Sequence, residues 1–217
     1  MKPRLLDLFC GAGGAARGYQ LAGFHVTGVD IVDQPNCCGD EFYRGDALTF
    51  AIHGFDAIHA SPPCQAYTTM NNRHGSSSLA LIDETRRLLE ATGLPWVIEN
   101  VVGARAHMRS PLVLTGEMFG LGVHRRRLFE SNVLIPGIPV PPRQEEAIAV
   151  YGKLDGRRLW TRADGSVLTA PRTLEPAAEA MGIDWMTWDE LREAIPPAYT
   201  EYIGRHLIAF ASGQDSR

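Results

Sequence analysis

Alternation between short apolar runs and helical segments limits what this 217-residue chain can fold into more than any other feature. Residues 5–9 have the pattern of a buried strand, a glycine-rich turn follows, and residues 15–22 have the apolar spacing of a helix. The further strands are predicted at 24–29, 56–60, 96–99 and 127–131, and the further helix at 79–92. Strands that alternate with helices predict an α/β fold with a parallel sheet and crossover helices.

Beyond residue 131 the sequence changes in character. Prolines at positions 136, 139, 141 and 142 punctuate a stretch with the composition of a linker. Short strands are predicted within 150–168, helices within 176–193 and a last helix at 199–211.

Size and composition exclude some classes of protein. With 45% hydrophobic residues, a chain of this length can bury a stable core as one domain, with or without a small appendage. No apolar stretch is long enough to span a bilayer, and the first residues lack a signal-peptide pattern, so an intracellular location is expected. The net charge of −4 does not favour a nucleic-acid partner, although arginines concentrate positive charge in the second half.

The four cysteines, at positions 10, 37, 38 and 64, have the spacing of neither a disulfide framework nor a zinc site. The seven histidines add no ligand spacing, so no metal is expected. A single cysteine is most often a small buried hydrophobe, and chemistry at Cys64 therefore has to be argued from its neighbours.

The first motif that could carry chemistry is Asp7-Leu8-Phe9-Cys10-Gly11-Ala12-Gly13-Gly14, which joins the first strand to the first helix. Such a turn brings backbone N–H groups close to a ligand, but its spacing is not that of a dinucleotide or Walker motif. Asp30 ends the next strand, where an acid would hold ribose hydroxyls, and Asp46 could accept from an adenine amino group. These features predict a nucleoside cofactor, and the alternative is a glycine turn that serves packing alone.

The second motif, Ser61-Pro62-Pro63-Cys64-Gln65, comes directly after a predicted strand. Ligands of open α/β sheets bind beyond the carboxyl ends of strands, so a cysteine here is placed for chemistry. The prolines stiffen the loop, and nucleophilic catalysis would need the thiolate, which nearby positive charge or a base favours.

The third and fourth motifs carry charge. Glu99-Asn100-Val101 ends a strand, and its carboxylate could hydrogen-bond or protonate a ring nitrogen; the alternative is a surface glutamate that caps a loop. His124-Arg125-Arg126-Arg127 leads into the strand at 127–131 and could equally be a solvated face. Because alternate residues of a strand share a face, Arg125 and Arg127 are expected to point the same way and to clamp an anion or a base.

Together and in this order, the four motifs resemble those of the cytosine-C5 DNA methyltransferase family. Residues 7–14 resemble its DLFxGxGG motif, 61–65 its GFPCQ loop and 123–127 its QxRxR motif, while 99–101 is identical to its ENV motif. The resemblance covers about residues 4–131 and, in part, 191–207. It implies a Rossmann-like, S-adenosylmethionine-dependent methyltransferase sheet with a small, reduced target-recognition region.

The resemblance implies transfer of a methyl group to C5 of a cytosine that is flipped out of the DNA duplex. Cys64 would attack C6, Glu99 would contact N3 and the exocyclic amine, and Arg127 with Arg125 would support the base and the nucleophile loop. The implied catalytic residues are Cys64, Glu99, Arg125 and Arg127. The implied cofactor-binding residues are Asp7, Phe9, Cys10, Gly11, Ala12, Gly13, Gly14, Asp30, Ile31, Asp46, Ala47 and Pro63, and the substrate-binding ones are Ser61, Gln65 and Asn100.

The resemblance also implies an organisation and a set of partners. Residues 1–131 would be the catalytic and cofactor-binding domain, 132–190 the reduced target-recognition region, and 191–217 a C-terminal helix that returns to the catalytic domain. The expected cofactor is S-adenosyl-L-methionine, with S-adenosyl-L-homocysteine as product. The expected partner is double-stranded DNA, with a further protein for target recognition as an option, in a restriction-modification setting in the cytoplasm of a bacterial cell or a phage-infected host.

Some residues depart from the family pattern. Ser61-Pro62 replaces Gly-Phe, Val123 stands where the family has Gln, and Arg192-Glu193 replaces a Gly-Asn pair. These departures and the short region before residue 190 leave two alternatives open. One is cytosine modification of RNA or a free nucleotide, or with a modified methyl donor; the other is a non-catalytic DNA- or cofactor-binding relative.

Overall fold

A seven-stranded sheet forms the centre of the fold, and helices cover both of its faces. The structure is a computed structural model that describes residues 1–63, 81–142, 145–161, 163 and 165–211, without the side chain of Trp160. The strands of the sheet are β1 (Arg4–Leu8), β2 (His25–Asp30), β3 (Glu41–Arg44), β4 (Ala57–Ala60), β5 (Trp96–Val101), β6 (Leu112–Leu114) and β7 (Arg127–Ser131). The α-helices are α1 (Gly14–Ala22), α2 (Leu81–Glu90), α3 (Leu174–Met181), α4 (Trp188–Glu193) and α5 (Pro197–Ala211).

The strands of the main sheet lie in the order β3-β2-β1-β4-β5-β7-β6. The first five strands of the chain pair in parallel, whereas β7 is antiparallel to both of its neighbours. The register pairs Val101, at the end of β5, with Arg127, at the start of β7. The carboxyl ends of the five parallel strands and the amino end of β7 therefore meet at one edge of the sheet.

Alternate residues of the strands belong to two separate hydrophobic clusters, one on each face of the sheet. Leu5 packs on the face covered by α1 and α5, while its neighbour Leu6 packs on the opposite face against Ile82 and Leu89 of α2. Strands that are apolar on both sides are typical of a parallel sheet buried between helices. The predicted α/β fold with a large parallel sheet is confirmed, and β7 has the predicted bounds.

A three-stranded sheet occupies part of the second half of the chain. It consists of β8 (Glu146–Ile148), β9 (Arg158–Thr161) and β10 (Val167–Thr169) in the order β8-β10-β9. β9 lies within the segment predicted to hold short strands, whereas β8 precedes it. The surrounding core joins Val150, Ala177 and Leu191 to Ala12 of the glycine turn, so this half packs against the first motif.

No helix among the described residues is long and apolar enough to cross a membrane.

Candidate active site

The edge where the parallel strands end gathers most of the residues predicted to act in chemistry. Phe9 follows β1, Asp30 ends β2, Ser61 follows β4 and Glu99 lies near the end of β5. Arg127 reaches the same edge from the opposite direction, because β7 is antiparallel to β5. The fold thus brings the four motifs together at one place.

Glu99, the acid of the third motif, is buried, with 6% of its surface exposed. Its Oε1 atom is 2.9 Å from Nε of Arg127, and the two side chains are 8% and 13% exposed. The contact is an ion pair and not an aligned hydrogen bond, so Oε1 keeps lone pairs that a ligand could use. The Ser61 hydroxyl also hydrogen-bonds the Glu99 carboxylate.

Burial and charge act in opposite directions on Glu99. Removal from water raises the pKa of its carboxyl above the ordinary value, and the positive charges of Arg127 and Arg125 and the hydrogen bond from Ser61 oppose that rise. A buried carboxyl whose pKa is raised, with neighbouring groups that oppose the rise, is a candidate for a group that assists a ring nitrogen.

Asn100 links the third motif to the second. Its Nδ2 atom donates to the carbonyl oxygen of Pro62 at 2.9 Å, and this contact is buried. The bond fixes the start of the loop that continues through Pro63, which is exposed. Cys64 and Gln65, the predicted nucleophile and its neighbour, lie outside the described residues.

Arg125 does not lie in a strand, so the expectation that it points the same way as Arg127 because alternate strand residues share a face does not apply. Arg125 precedes β7 and has a positive φ of 24°. Its guanidinium donates to the carbonyl oxygens of Ala194, Arg192 and Val150 at 2.6–3.1 Å. It contributes positive charge near Glu99, but its hydrogen bonds hold the backbone of the second half of the chain.

The glycine turn is tied to the end of β2. The backbone N–H of Gly11 donates to Oδ2 of Asp30 at 3.0 Å, and Val32 donates to the other carboxylate oxygen. Gly11 has a φ of +49°, and a Cβ there would meet only open space. Phe9 also has a positive φ, 59°, which is rare for a bulky residue and is typical of functional sites.

The rest of the first motif faces the protein itself. A Cβ on Gly13 would lie 2.9 Å from Sγ of Cys38, and a Cβ on Gly14 would lie 2.5 Å from the carbonyl oxygen of Ile195. The carbonyl of Ala12 accepts from Nε1 of Trp185 at 3.0 Å. Close packing therefore explains the glycines at positions 13 and 14, whereas it does not explain the glycine at position 11.

The residues predicted to surround a nucleoside differ in exposure. Ile31 is 67% exposed and Asp46 is exposed, so both could meet a ligand. Ala47 is buried in the core beside β4. Cys10 is also buried, and its thiol donates to Cys37, which lowers the pKa of Cys37 to about 7 while the pKa of Cys10 rises.

Asp7 is a buried acid with an unusual environment. It is 0% exposed, and neither carboxylate oxygen has a hydrogen-bond partner among the described residues. Burial, together with the negative charges of Cys37, Asp30 and Glu99, raises its pKa well above the ordinary value. Such a group costs stability, and acids of this kind are enriched at functional sites.

Two residues of the site were not predicted from the sequence. His59 of β4 hydrogen-bonds Tyr19 of α1 through Nδ1 and Ser61 through Nε2, each at 2.9 Å. Burial lowers the pKa of His59 to about 3. The available signal was a histidine in an otherwise apolar strand, Ala57-Ile58-His59-Ala60.

The open side of Gly11, the Asp30 carboxylate and the exposed Ile31 and Asp46 fit a nucleoside cofactor by their chemistry. The carboxylates can accept from hydroxyl or amino groups, and the apolar side chain can cover a base. Among the described residues, no group of three or more His, Cys, Asp or Glu side chains could hold a metal ion.

Comparison with known proteins finds relatives among DNA-modifying enzymes. No family model matches the sequence. The chain is 27% identical over 125 residues to the type II methyltransferase M.AquIA of Picosynechococcus sp., and the alignment covers 48% of this chain and 50% of that protein. It is 24% identical over 188 residues to the type II methyltransferase M.AgeI of Thalassovita gelatinovora, and that alignment covers 72% of this chain and 41% of that protein. The chain thus spans about half, or less, of the length of these relatives.

Solved structures of methyltransferases share the fold. A DNA modification methyltransferase encoded within an E. coli prophage superposes with a TM-score of 0.65 at 14% identity, covering 97% of this chain and 99% of that one. The S. pombe Dnmt2 methyltransferase superposes with a TM-score of 0.57 at 13% identity, covering 99% and 100%. At these identities the likeness is one of fold. With type II methyltransferases as sequence relatives and methyltransferases as structural neighbours, the resemblance of this chain to the cytosine-C5 methyltransferase family is confirmed.

Proposed function

We propose that this chain is a DNA cytosine-C5 methyltransferase that uses S-adenosylmethionine. The observation that carries the proposal is the buried Glu99–Arg127 pair, which lies beside the start of the Ser61–Cys64 loop at the carboxyl edge of the sheet. A carboxylate and a cysteine at that edge can act on the same ring of a base, one at a nitrogen and one at a carbon.

In this proposal the protein activates the ring from two sides. The Cys64 thiolate forms a bond to C6 of a flipped cytosine, and Glu99 contacts N3 and the exocyclic amine, which eases that attack. The attack makes C5 nucleophilic. After C5 has been methylated it loses its proton, and elimination breaks the C6–S bond and returns the Cys64 thiolate.

Arg127 keeps Glu99 in place during these steps through their ion pair. Asn100 holds the Pro62 carbonyl and with it the approach to Cys64. Arg125 acts through the backbone of the second half of the chain, which it holds by hydrogen bonds.

The cofactor pocket is proposed at the glycine turn and the ends of β2 and β3. Gly11, Asp30, Ile31 and Asp46 would hold S-adenosylmethionine, with Phe9 beside them. The cofactor, when bound, supplies the methyl group and leaves as S-adenosylhomocysteine. The buried Asp7 lies behind this pocket, close to Asp30, and its raised pKa favours the protonated, neutral form.

We further propose that double-stranded DNA is the partner. In this organisation residues 1–131 carry catalysis, 132–190 read the target and 191–217 return to the catalytic part. The small sheet of β8, β9 and β10 belongs to the target-reading part. Because the chain is about half the length of its curated relatives, a second protein that completes target recognition fits the same proposal.

Covalent trapping tests the proposal. Duplexes of randomised sequence that carry 5-fluorocytosine should give a denaturation-resistant protein–DNA complex in the presence of S-adenosylmethionine, because fluorine at C5 cannot leave as a proton. Cys64→Ala should give none, and Glu99→Gln should form it about 100-fold more slowly or worse. Arg126→Ala, at an exposed position next to Arg127, is the matched control and should trap as the wild type does. Absence of any adduct with the wild type would overturn the proposal.

Transfer of tritium from labelled S-adenosylmethionine identifies the substrate. Label should enter duplex DNA and should not enter RNA or dCMP. Label in RNA or in dCMP alone would replace DNA as the substrate while keeping the same chemistry.

A further inference from the structure

A chain of hydrogen bonds, buried at its Tyr19 end, runs from the first helix to the carboxylate of Glu99. The Tyr19 hydroxyl is 2.9 Å from Nδ1 of His59, and Nε2 of His59 is 2.9 Å from Oγ of Ser61, which in turn hydrogen-bonds Glu99. Tyr19 and His59 are 0% exposed, so bulk water does not compete for the bond between them. We refer to Tyr19, His59 and Ser61 as the hydrogen-bond chain.

The direction of each bond follows from the Glu99 end. An ionised carboxylate can only accept, so Ser61 donates to it and is left to accept from His59 Nε2–H. A neutral imidazole has a single N–H, and Nδ1 of His59 therefore accepts from the Tyr19 hydroxyl. Burial lowers the pKa of His59 to about 3 and raises that of Tyr19 well above its ordinary value, so both residues stay neutral.

The opposite direction is unfavourable. If the Glu99 oxygen that faces Ser61 carried a proton and donated it to Ser61, Ser61 would have to donate to His59, and His59 to Tyr19. The Tyr19 proton would then need another acceptor, yet among the described residues His59 is the hydrogen-bond partner of this hydroxyl, and Phe24 packs edge-on against the ring. A buried donor without an acceptor costs free energy, so the hydrogen-bond chain keeps a proton off the oxygen that faces Ser61. The hydrogen bond that Ser61 donates favours the ionised form of Glu99.

Other charges reach Glu99 from the elements packed around it. Arg127 of β7 and Arg125, which precedes β7, favour its ionised form, whereas the buried Asp7 of β1 opposes it. The hydrogen-bond chain is the neutral contribution among them. It also constrains the direction of the carboxylate, which charges alone do not.

We propose that Tyr19, His59 and Ser61 are positioning residues that hold Glu99 as an oriented carboxylate, ready to meet the ring of the base. This inference rests on the proposed methyltransferase function for its meaning in catalysis. The motif that residues 61–65 resemble has glycine where this chain has Ser61, and glycine has no hydroxyl to offer. The serine hydroxyl therefore supplies a link between His59 and Glu99 that glycine could not form.

A direct test needs no substrate. In the full chain, the side-chain carboxyl resonance of Glu99 is titrated by ¹³C NMR and assigned by comparison with Glu99→Gln. Ser61→Ala removes a donor to the carboxylate, so the midpoint should move to higher pH by about one unit. Ser61→Thr keeps a hydroxyl and should restore the wild-type midpoint, while Tyr19→Phe should move it in the same direction as Ser61→Ala but less.

Ser131→Ala is the matched control. It also removes a serine hydroxyl from the main sheet, one that donates to the Trp96 carbonyl at 2.9 Å at the other end of β7. Its midpoint should equal that of the wild type. A midpoint that stays in place in Ser61→Ala would overturn the inference, whatever the activity of the protein.

The pH profile of kcat/KM for methyl transfer then connects the hydrogen-bond chain to catalysis. The limb of this profile that Glu99 controls should move to higher pH in Ser61→Ala, as in the NMR titration, and should not move in Ser131→Ala. An NMR shift without methyl transfer by the wild type would leave the hydrogen-bond chain standing and remove the proposed function. An NMR shift with an unchanged pH profile would remove the catalytic role of the hydrogen-bond chain.

Discussion

Two buried acids near the carboxyl edge differ in what surrounds them. Glu99 has Arg127 at 2.9 Å and Ser61 as hydrogen-bond donor, while Asp7 has no partner among the described residues. Burial raises the pKa of both carboxyls, and neighbouring groups oppose that rise at Glu99 but add to it at Asp7. Glu99 is therefore suited to proton chemistry, whereas Asp7 places a stability cost beside the proposed cofactor pocket.

Asp7→Asn should raise the free energy of unfolding at pH 8 by about 1–3 kcal/mol, since a neutral side chain is cheaper to bury. Folding raises the pKa of Asp7, so the native state holds a proton that the unfolded state releases, and this acid lowers stability as pH rises between the two pKa values. The advantage of Asp7→Asn should therefore shrink as pH falls towards about 4. Urea unfolding across that pH range measures it, with exposed Asp33→Asn as control. A difference that does not vary with pH would contradict the explanation.

The sequence predicts which residues end strands but not how they are connected. Glu99 and Arg127 were predicted to act together because strand ends share an edge in a parallel sheet, and their ion pair agrees with that reasoning. Tyr19 was indistinguishable from a core residue of a helix, and its bond to His59 spans 40 positions of sequence. Arg125 was expected to point the same way as Arg127, and its positive φ, which the residue type does not indicate, was not foreseen.

At the scale of elements, α1 and α5 pack closely enough to exclude side chains between them. A Cβ on Gly18 would lie 2.1 Å from both the Pro197 carbonyl oxygen and Oγ1 of Thr200, and a Cβ on Gly204 would lie 2.6 Å from that of Ala22. Thr200 also donates to the Ala15 carbonyl across the interface at 2.9 Å. The glycines thus permit a helix pair that holds Tyr19 in position.

Gly18→Ala should destabilise the protein by about 1–3 kcal/mol because the added methyl group forces the two helices apart. This loss would exceed the gain of about 1 kcal/mol that alanine gives in a helix. Gly45→Ala is the control, because a Cβ there meets nothing within 4 Å. The midpoints of urea unfolding compare the two, and equal midpoints would show that the helices can separate without cost.

At the scale of the whole molecule, the position of β7 between β5 and β6 decides the site. The alternation of strands and helices predicts the parallel part of the sheet from local patterns. It does not predict that a later strand inserts in the antiparallel direction, because that pairing depends on contacts between distant segments. The insertion is what brings Arg127 to Glu99.

Arg125 connects the sheet to the second half of the chain through the carbonyls of Val150, Arg192 and Ala194. Arg125→Met keeps the length of the side chain and removes its donors, and it should lower the free energy of unfolding by about 3 kcal/mol because carbonyls lose charged partners. Arg126→Met, at the exposed neighbour, should change it by less than about 0.5 kcal/mol. Equilibrium urea unfolding measures both, and similar losses would show that the carbonyls find other donors.

The pairing of α1 with α5 also sets the order of events on the ribosome. Residues 14–22 emerge early, but the helix that covers them begins at Pro197 and is the last helix of the described chain. At about 5–20 residues per second, roughly 10–35 s of synthesis separate the two. During that interval the apolar face around Tyr19 is without its native cover, so the nascent chain offers a binding surface to chaperones until its final helix is made.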